Sequence, residues 1–372
     1  MLLQISGGVT AARGFRAGGM DGYALIACGL PAVCAGVFSK NRILSAPAKW
    51  SSFLSQHTDT AQAVFLCGNL SGACVGDEGY AQTVRLAELT ASAIGLPQEK
   101  ILLAAAGEAG IPFDPEEAEE VLSELARSLS SDADGATSAA LALSPPYSDS
   151  TEIAVEFDIG ETKVRLGGFC RSGKPLAVLT TDASISKEML ERALKADAEE
   201  TFFMAMPDGA RAGDCVLCLA SGVAGNKRIT EEDDAYAAFC AALRHVTAYL
   251  AKRAASVGRL LEITVQNAAD KPSAAALARA AAASVPLRMA AGVEVADWAS
   301  ILFAFGETDV PFDPDLIDIS IRSSAGSAQL VRNGLPLFPE NTEEIFDAAA
   351  ITFTADIKNG NASATAWSDF ID

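Results

Sequence analysis

The sequence predicts an α/β or α+β fold with strands buried under helices on both faces, and three observations carry that reading. Short strand-like runs alternate with long helical patterns over all 372 residues. No fixed-period repeat is visible, and no stretch is long and polar enough to be a linker between independent domains. Hydrophobic residues make up 50% and charged residues 20%, which suits one large domain or two ordinary ones and excludes disorder.

Tyr23–Cys28, Ala32–Phe38 and Ala63–Cys67 are apolar runs closed by Gly, Pro or Asn, which predicts three separate strands. Ala81, Val84, Leu86, Leu89 and Ile94 fall near helical spacing over Glu78–Ile94, and Gly95 ends that helix. Ile101–Ala105 reads as a strand. Pro115–Leu129 predicts an acidic amphipathic helix with Asp114 as its N-cap. Ser128–Ser150, with its serines, Asp132, Asp134, Asp149 and Pro145-Pro146, predicts a short helix inside a long surface loop. Glu152–Phe157 and Lys163–Leu166 alternate on either side of Asp158-Ile159-Gly160-Glu161, a hairpin signal. Leu176–Thr181 is a strand, and Ser186 caps a helix that runs to about Ala198. The second half repeats the alternation: a strand at Cys215–Ala220, a long helix at Asp233–Ala255, a strand at Leu260–Val265 and an Ala-rich helix at Ala274–Ala283. Strands follow at Ile317–Ile321, Ala328–Val331 and Ala350–Ile357.

Charge narrows the function classes. Twenty-eight Lys and Arg against 48 Asp and Glu give a net charge of −20, with a pI of about 4.5. Such a surface repels phosphate backbones and anionic lipid, so neither nucleic acid nor a membrane surface is an expected partner. No run of about eighteen apolar residues is present, so no spanning helix is expected. Met1–Ile5 is too short for a signal h-region before Gly7-Gly8, which points to the cytoplasm. Eight cysteines in 372 residues are far too few for a disulfide scaffold. Most lie in apolar runs, as Cys34 does, where a free thiol behaves as a small hydrophobe.

The motifs alone name no chemistry. His245 lies mid-helix among Leu243, Val246 and Leu250, and His57 lies in the polar run Gln56-His57-Thr58-Asp59; both read as structural or solvated. Cys215 and Cys218 have C-x-x-C spacing, but three residues apart on a strand they point to opposite faces, and no second pair accompanies them. No metal and no cofactor are expected. Gly107-Glu-Ala-Gly110 and Gly222-Val-Ala-Gly225-Asn-Lys227 lack the phosphate-cradle patterns and read as strand-end turns.

Several stretches, taken together, resemble the ornithine acetyltransferase family (ArgJ, glutamate N-acetyltransferase). They are Gly8-Val-Thr-Ala-Ala-Arg-Gly-Phe-Arg-Ala17, Ala35-Gly-Val-Phe-Ser-Lys-Asn-Arg42 with Ala46-Pro47, and Cys67-Gly-Asn-Leu-Ser-Gly-Ala-Cys-Val-Gly76. Later come Leu179-Thr-Thr-Asp-Ala183, Leu219-Ala-Ser-Gly222, Val310-Pro-Phe-Asp-Pro-Asp315 and Asn361-Ala-Ser-Ala-Thr-Ala-Trp367. They occur in family order over nearly the whole chain. The resemblance implies an ArgJ/DmpA-like layered sandwich of β-sheets covered by helices, built as a single unit over residues 1–372. Residues 1–178 then match the family's α chain and 179–372 its β chain. It also implies cytoplasmic arginine biosynthesis, with acetyl moved from N-acetylornithine to glutamate. Family members cut themselves at an Ala-Thr bond, and the freed Thr is both nucleophile and N-terminal amine, so no histidine is required.

The positions that do this chemistry are the ones that depart from the family. Its K-G-S-G-M-I-x-P-N-M-A-T-M-L lies between a Gly-Gly strand end and the L-T-T-D-A strand. Here that interval is the shorter Gly167-Gly-Phe-Cys-Arg-Ser-Gly-Lys-Pro-Leu-Ala-Val178, which holds no Thr. The oxyanion S-T-G corresponds to Ala105-Ala106-Gly107, so a side-chain donor is gone; one such donor is worth on the order of 10²–10³ in rate. The family's T-T-D-T-x-P-K corresponds to Ser144-Pro-Pro-Tyr-Ser-Asp149, and D-G-D-T-S-T-N-D to Asp208-Gly-Ala-Arg-Ala-Gly-Asp214. D-G-E-G-A-T-K corresponds to Ala255-Ser-Val-Gly-Arg259, and P-N-W-G-R survives as Ala296-Asp-Trp-Ala-Ser300. The sequence stops at Asp372, ahead of the family's site-closing tail. What remains is Gly, Ala and apolar residues that turns and packing need.

The reading that follows is a paralogue without self-cleavage or acetyl transfer. It would bind an amino-acid metabolite or regulate as a homo-oligomer, or as a hetero-oligomer with an intact homologue. The alternative is an acyltransferase with a relocated nucleophile, for which Cys170 and Ser172 lie nearest the vacated position and Thr180 and Thr181 just beyond it. Ala106 and Gly107 correspond to the oxyanion site, and Asn69, Asp182, Asp208 and Asp214 to the substrate pocket.

Overall fold

The chain forms two units, Met1–Ala198 with Ala210–Ala254, and Glu199–Gly209 with Ala255–Asp372. The structure, a computed structural model, describes residues 2–144, 150–206, 208–340 and 342–371.

The first unit contains β1 (Leu3–Ile5), β2 (Phe15–Met20), β3 (Tyr23–Phe38), α1 (Ala46–His57), β4 (Thr60–Cys67), α2 (Gly76–Ile94) and β5 (Ile101–Ala105). It continues through α3 (Pro115–Ser128), α4 (Ala133–Leu143), β6 (Glu152–Ile159), β7 (Thr162–Cys170), β8 (Leu176–Thr181), α5 (Lys187–Glu200), β9 (Cys215–Ala220) and α6 (Asp234–Ala255). Among the described residues its strands form one sheet ordered β1-β6-β7-β8-β9-β3-β4-β5, with β2 also paired to β3. Start signals act locally as anticipated: Asp114 accepts from Glu116 N and Glu117 N to cap α3. Gly95 ends α2 in the left-handed conformation at φ 69°.

The sheet is folded over on itself. Arg171, just after β7, donates to Ala106 O, just after β5, although four strands separate β7 from β5 in sheet order. At about 4.8 Å per strand a flat sheet would hold those ends more than 20 Å apart. Phe15, Ile26, Val64, Leu66 and Leu102 of one half therefore share a core with Phe169, Leu176, Val178, Leu217 and Leu219 of the other. On the outer face of the first half, Leu25, Phe65 and Leu103 pack against Leu86 and Leu89 of α2 and Leu122 and Leu125 of α3. On the second half α6 lies against β7, where Cys170 Sγ reaches Leu250 O at 3.2 Å. The result is a layered α/β/β/α sandwich. Its β5 edge is covered by α1: Trp50 Nε1 donates to Ile101 O at 2.9 Å, and Ser51 Oγ both donates to Leu103 O and accepts from Leu103 N.

Two expectations need correction. Tyr23–Phe38 is one strand rather than two, because a bulge absorbs Gly29-Leu30-Pro31: Ala27 pairs with Ala63 and Ala32 already with Ala61. A bulge leaves residues outside the ladder, so Pro31 costs no hydrogen bond there. The short helix expected after Ser128 is present as α4, but it is packed into the core rather than carried in a surface loop. Gly135, Ala136, Ala139, Ala140 and Leu143 of α4 are buried, and a Cβ on Gly135 would lie 2.6 Å from Ala17 O of β2. Pro145-Pro146 and Asp149 lie outside the described residues.

The second unit contains β10 (Leu260–Ala268), α7 (Lys271–Ala282), α8 (Val285–Gly292), α9 (Trp298–Gly306), β11 (Asp318–Arg322), β12 (Ser327–Arg332), β13 (Leu335–Pro336), β14 (Ala350–Asp356) and β15 (Ala362–Asp369). Its sheet order is β13-β12-β11-β14-β10-β15, with β10 and β14 parallel. Leu261, Ile263, Ile319, Ile321, Ile351 and Phe353 are buried, as are Leu277, Ala278 and Ala281 of α7. The alternate residues are polar and bonded to one another: Glu262 accepts from Trp367 Nε1 and from Thr352 Oγ1, each at 2.9 Å. Among the described residues no helix is long and apolar enough to cross a membrane.

Candidate functional site

The interval that departs from the family pattern is a β-hairpin. Cys170 pairs with Ala177, Phe169 with Val178, Gly168 with Leu179 and Gly167 with Thr180. Only Arg171–Leu176 is left to turn the chain, and Arg171 N donates to Leu176 O at 2.8 Å across its base while Lys174 N donates to Arg171 O at 3.2 Å within it.

Beside this turn lie the ends of β4 and β5. Cys67 pairs with Ala105, and the following residues stay together: Ala106 N donates to Cys67 O at 3.0 Å and Glu108 N to Asn69 O at 2.9 Å. The structure thus brings Asn69, Ala106 and Gly107 together, with the Ala106 amide already used. Gly107 is required there, because a Cβ would overlap the Asn69 carbonyl. Asp214 reaches the same corner, since Gly213 packs so closely on Ala105 O that a Cβ would collide with it. Asp214 is 1% exposed. Its Oδ2 accepts from Arg211 N at 2.6 Å, while Oδ1 is buried without a hydrogen-bond partner among the described residues. Burial pushes its pKa up to about 6, against the pull of Arg211 and Lys174.

Three cations belong to this corner, and pattern reading missed them. Arg171 donates Nε to Leu143 O at 3.0 Å and Nη1 to Ala106 O. Burial lowers its pKa and that of Lys174, and for Lys174 the nearby Arg171 and Arg211 add to the fall while Asp214 opposes it. The available signal was Arg171, Lys174 and Arg211 standing within the two segments where the family pattern breaks, in a chain of net charge −20.

The remaining candidates are buried, apart from the exposed Asp208. Cys170 is fully buried on β7, and burial pushes its thiol up to about 12. Ser172 is buried within the hairpin turn. Thr180 Oγ1 donates to Val9 O at 2.6 Å and Thr181 Oγ1 to Arg165 O at 2.8 Å, so each hydroxyl proton is held by a carbonyl. Asp182, at the end of β8, is completely buried. It accepts from Arg165 N at 2.7 Å and Arg13 Nε at 2.5 Å. Asp208 belongs to the second unit, where it pairs with Arg288 at 2.8 Å. The segment Ser144–Asp149 lies outside the described residues beyond Ser144. His57 and His245 are exposed, on α1 and α6. Cys215 shares the inter-sheet core with Leu217 and Leu219, and Cys218 faces the other way. No group of three or more metal-ligating side chains occurs among the described residues.

A layered α/β/β/α unit with a polar corner at its strand ends is a mixed α/β fold of the class the motifs implied. The chain belongs to the ArgJ family, whose model matches residues 8–371. The chloroplastic arginine biosynthesis bifunctional protein ArgJ of Oryza sativa subsp. indica is 33% identical over 395 residues, covering 98% of this chain and 84% of the relative. ArgJ of Symbiobacterium thermophilum is 31% identical, covering 98% and 95%. The crystal structure of ArgJ from Bacillus halodurans aligns with a TM-score of 0.44 at 20% identity, over 46% of this chain and 93% of that one.

Proposed function

We propose that this protein is an arginine-biosynthesis member of the ArgJ family that stays in one piece and acts by binding a metabolite rather than by transferring acetyl. Residues 1–178 and 179–372 then stand as the two family chains left joined. One observation carries the reading: the Ala-Thr cleavage loop is replaced by the β7–β8 hairpin, whose register runs from Gly167–Thr180 to Cys170–Ala177. A Thr released at the start of a strand is the family's nucleophile and base together, and a closed hairpin without Thr supplies neither. The surroundings of the nearest alternatives support the same reading, since Cys170 is buried in its neutral form and Thr180 and Thr181 are committed to carbonyls. As a binding protein it would work alone, as a homo-oligomer or with an intact homologue, and its eight free cysteines suit a reducing compartment such as the cytoplasm.

The test is an acetyl-transfer assay with N-acetylornithine and glutamate. Transfer stays at the no-protein background. Transfer that is abolished by Cys170→Ala or Ser172→Ala would replace this reading with that of an acyltransferase with a relocated nucleophile.

A further inference from the structure

Cations are scarce in this chain, 28 against 48 acidic residues, and several partly buried ones are paired with carboxylates. Arg288, 4% exposed, is held between Asp208 and Asp369. Lys187 pairs with Glu191 at 2.8 Å and also donates to Cys34 O and Ser55 O. Arg171 and Lys174 are the contrast. Arg171 is half-buried, yet its two hydrogen bonds go to carbonyls and neither to a carboxylate. Lys174 is half-buried in the same turn, and its ammonium has neither an ion pair nor a hydrogen bond among the described residues. The charged groups that act on it are Arg171, Arg211 and Asp214. Asp214 forms no ion pair with either: one of its oxygens is taken by the Arg211 amide and the other is buried without a partner.

Taking a charge partly out of water without a partner is costly, and two like charges in one turn raise the cost. In a chain with a surplus of carboxylates, nothing in folding requires these two cations to go without an ion pair. A planar guanidinium and an ammonium three residues apart in one turn form a receptor for an oxyanion, the guanidinium offering paired donors and the ammonium a point charge.

We propose that Arg171 and Lys174 bind the oxyanion group, carboxylate or phosphate, of a small metabolite at the β7–β8 turn. The inference rests on the metabolite-binding reading above and names the chemistry of the ligand. The bound anion supplies the ion-pair partner that neither cation has, and the Ala106 and Leu143 carbonyls hold the guanidinium in place for it.

The experiment is calorimetric titration of the full chain with glutarate and, separately, with inorganic phosphate. Glutarate carries two carboxylates and no amine, so a response to it alone identifies the carboxylate source, and a response to phosphate alone identifies the other. Lys174→Gln removes a side chain that bonds to nothing, so the fold is kept, and affinity falls by about tenfold or more, the scale of a hydrogen bond to a charged group. Lys163→Gln, at the far turn of the β6–β7 hairpin where Lys163 pairs with Asp158, leaves affinity unchanged. Silence for both probes, or equal affinity in wild type, Lys174→Gln and Arg171→Gln, overturns the proposal. Acetyl transfer by the intact protein would instead remove the metabolite-binding reading and leave the anion titration to be judged by itself.

Discussion

Replacing Asp182 by Ala is expected to cost about 3 kcal/mol or more of stability, the scale for removing one partner of a buried charged pair. The carboxylate is completely buried at the end of β8 and has a partner on each oxygen. Oδ1 accepts from the Arg165 amide of β7 at 2.7 Å, and Oδ2 accepts from Arg13 Nε at 2.5 Å. It therefore ties β8 to β7 and to the start of the chain. Arg13 is 44% exposed and rehydrates when the partner is lost, which holds the loss near the lower end of that scale. Asp182→Asn keeps an acceptor for the amide and is expected to cost about half as much. Urea midpoints for the three proteins check this. A midpoint for the Ala variant within about 0.5 kcal/mol of wild type would show that Asp182 is not a structural tie.

Asp214 is expected to behave in the opposite sense, because its environment penalises the charge. Its pKa is raised from 3.8 to about 6 by burial, so the folded state holds its proton more tightly than the unfolded state does. Stability from this group is present at low pH and is lost as pH rises through about 6. A rise from 3.8 to about 6 corresponds to about 3 kcal/mol at pH 8, of which about half is lost between pH 5 and pH 8. Asp214→Asn removes the titration and keeps an acceptor for the Arg211 amide. The variant is expected to be more stable than wild type by an amount that grows from pH 5 to pH 8. A stability difference that is flat with pH would contradict the account of that corner.

Much of the fold was legible wherever a local signal decides structure. The bounds of Ile101–Ala105, Leu176–Thr181 and Cys215–Ala220 match the strands, because short apolar runs between breakers have little freedom. The Glu152–Leu166 hairpin followed from alternation about Gly160, which takes φ 60° in the turn. What failed was decided at long range. Gly29-Leu30-Pro31 reads as a break, and only the pairing of both flanks to β4 shows a bulge inside one strand. The Ser- and Asp-rich stretch after Ser128 reads as a short helix in a surface loop, yet its small residues let that helix, α4, approach β2. Helix α1 left no strong periodicity, and it is held by Trp50 and Ser51 bonding to the edge of β5. At the candidate site the loss of Thr between Gly167 and Val178 was visible in one dimension. The meeting of Arg171, Lys174 and Asp214 was not, because it depends on the sheet folding until the ends of β5, β7 and β9 share a corner.

The central claim is that the chain is never cut, and the intact mass of the purified protein tests it most directly. One species near 38.5 kDa is the expected result, because the β7–β8 hairpin has no Thr to release. Two fragments whose masses sum to that value would contradict the claim, and the residue at the new N-terminus would identify the nucleophile.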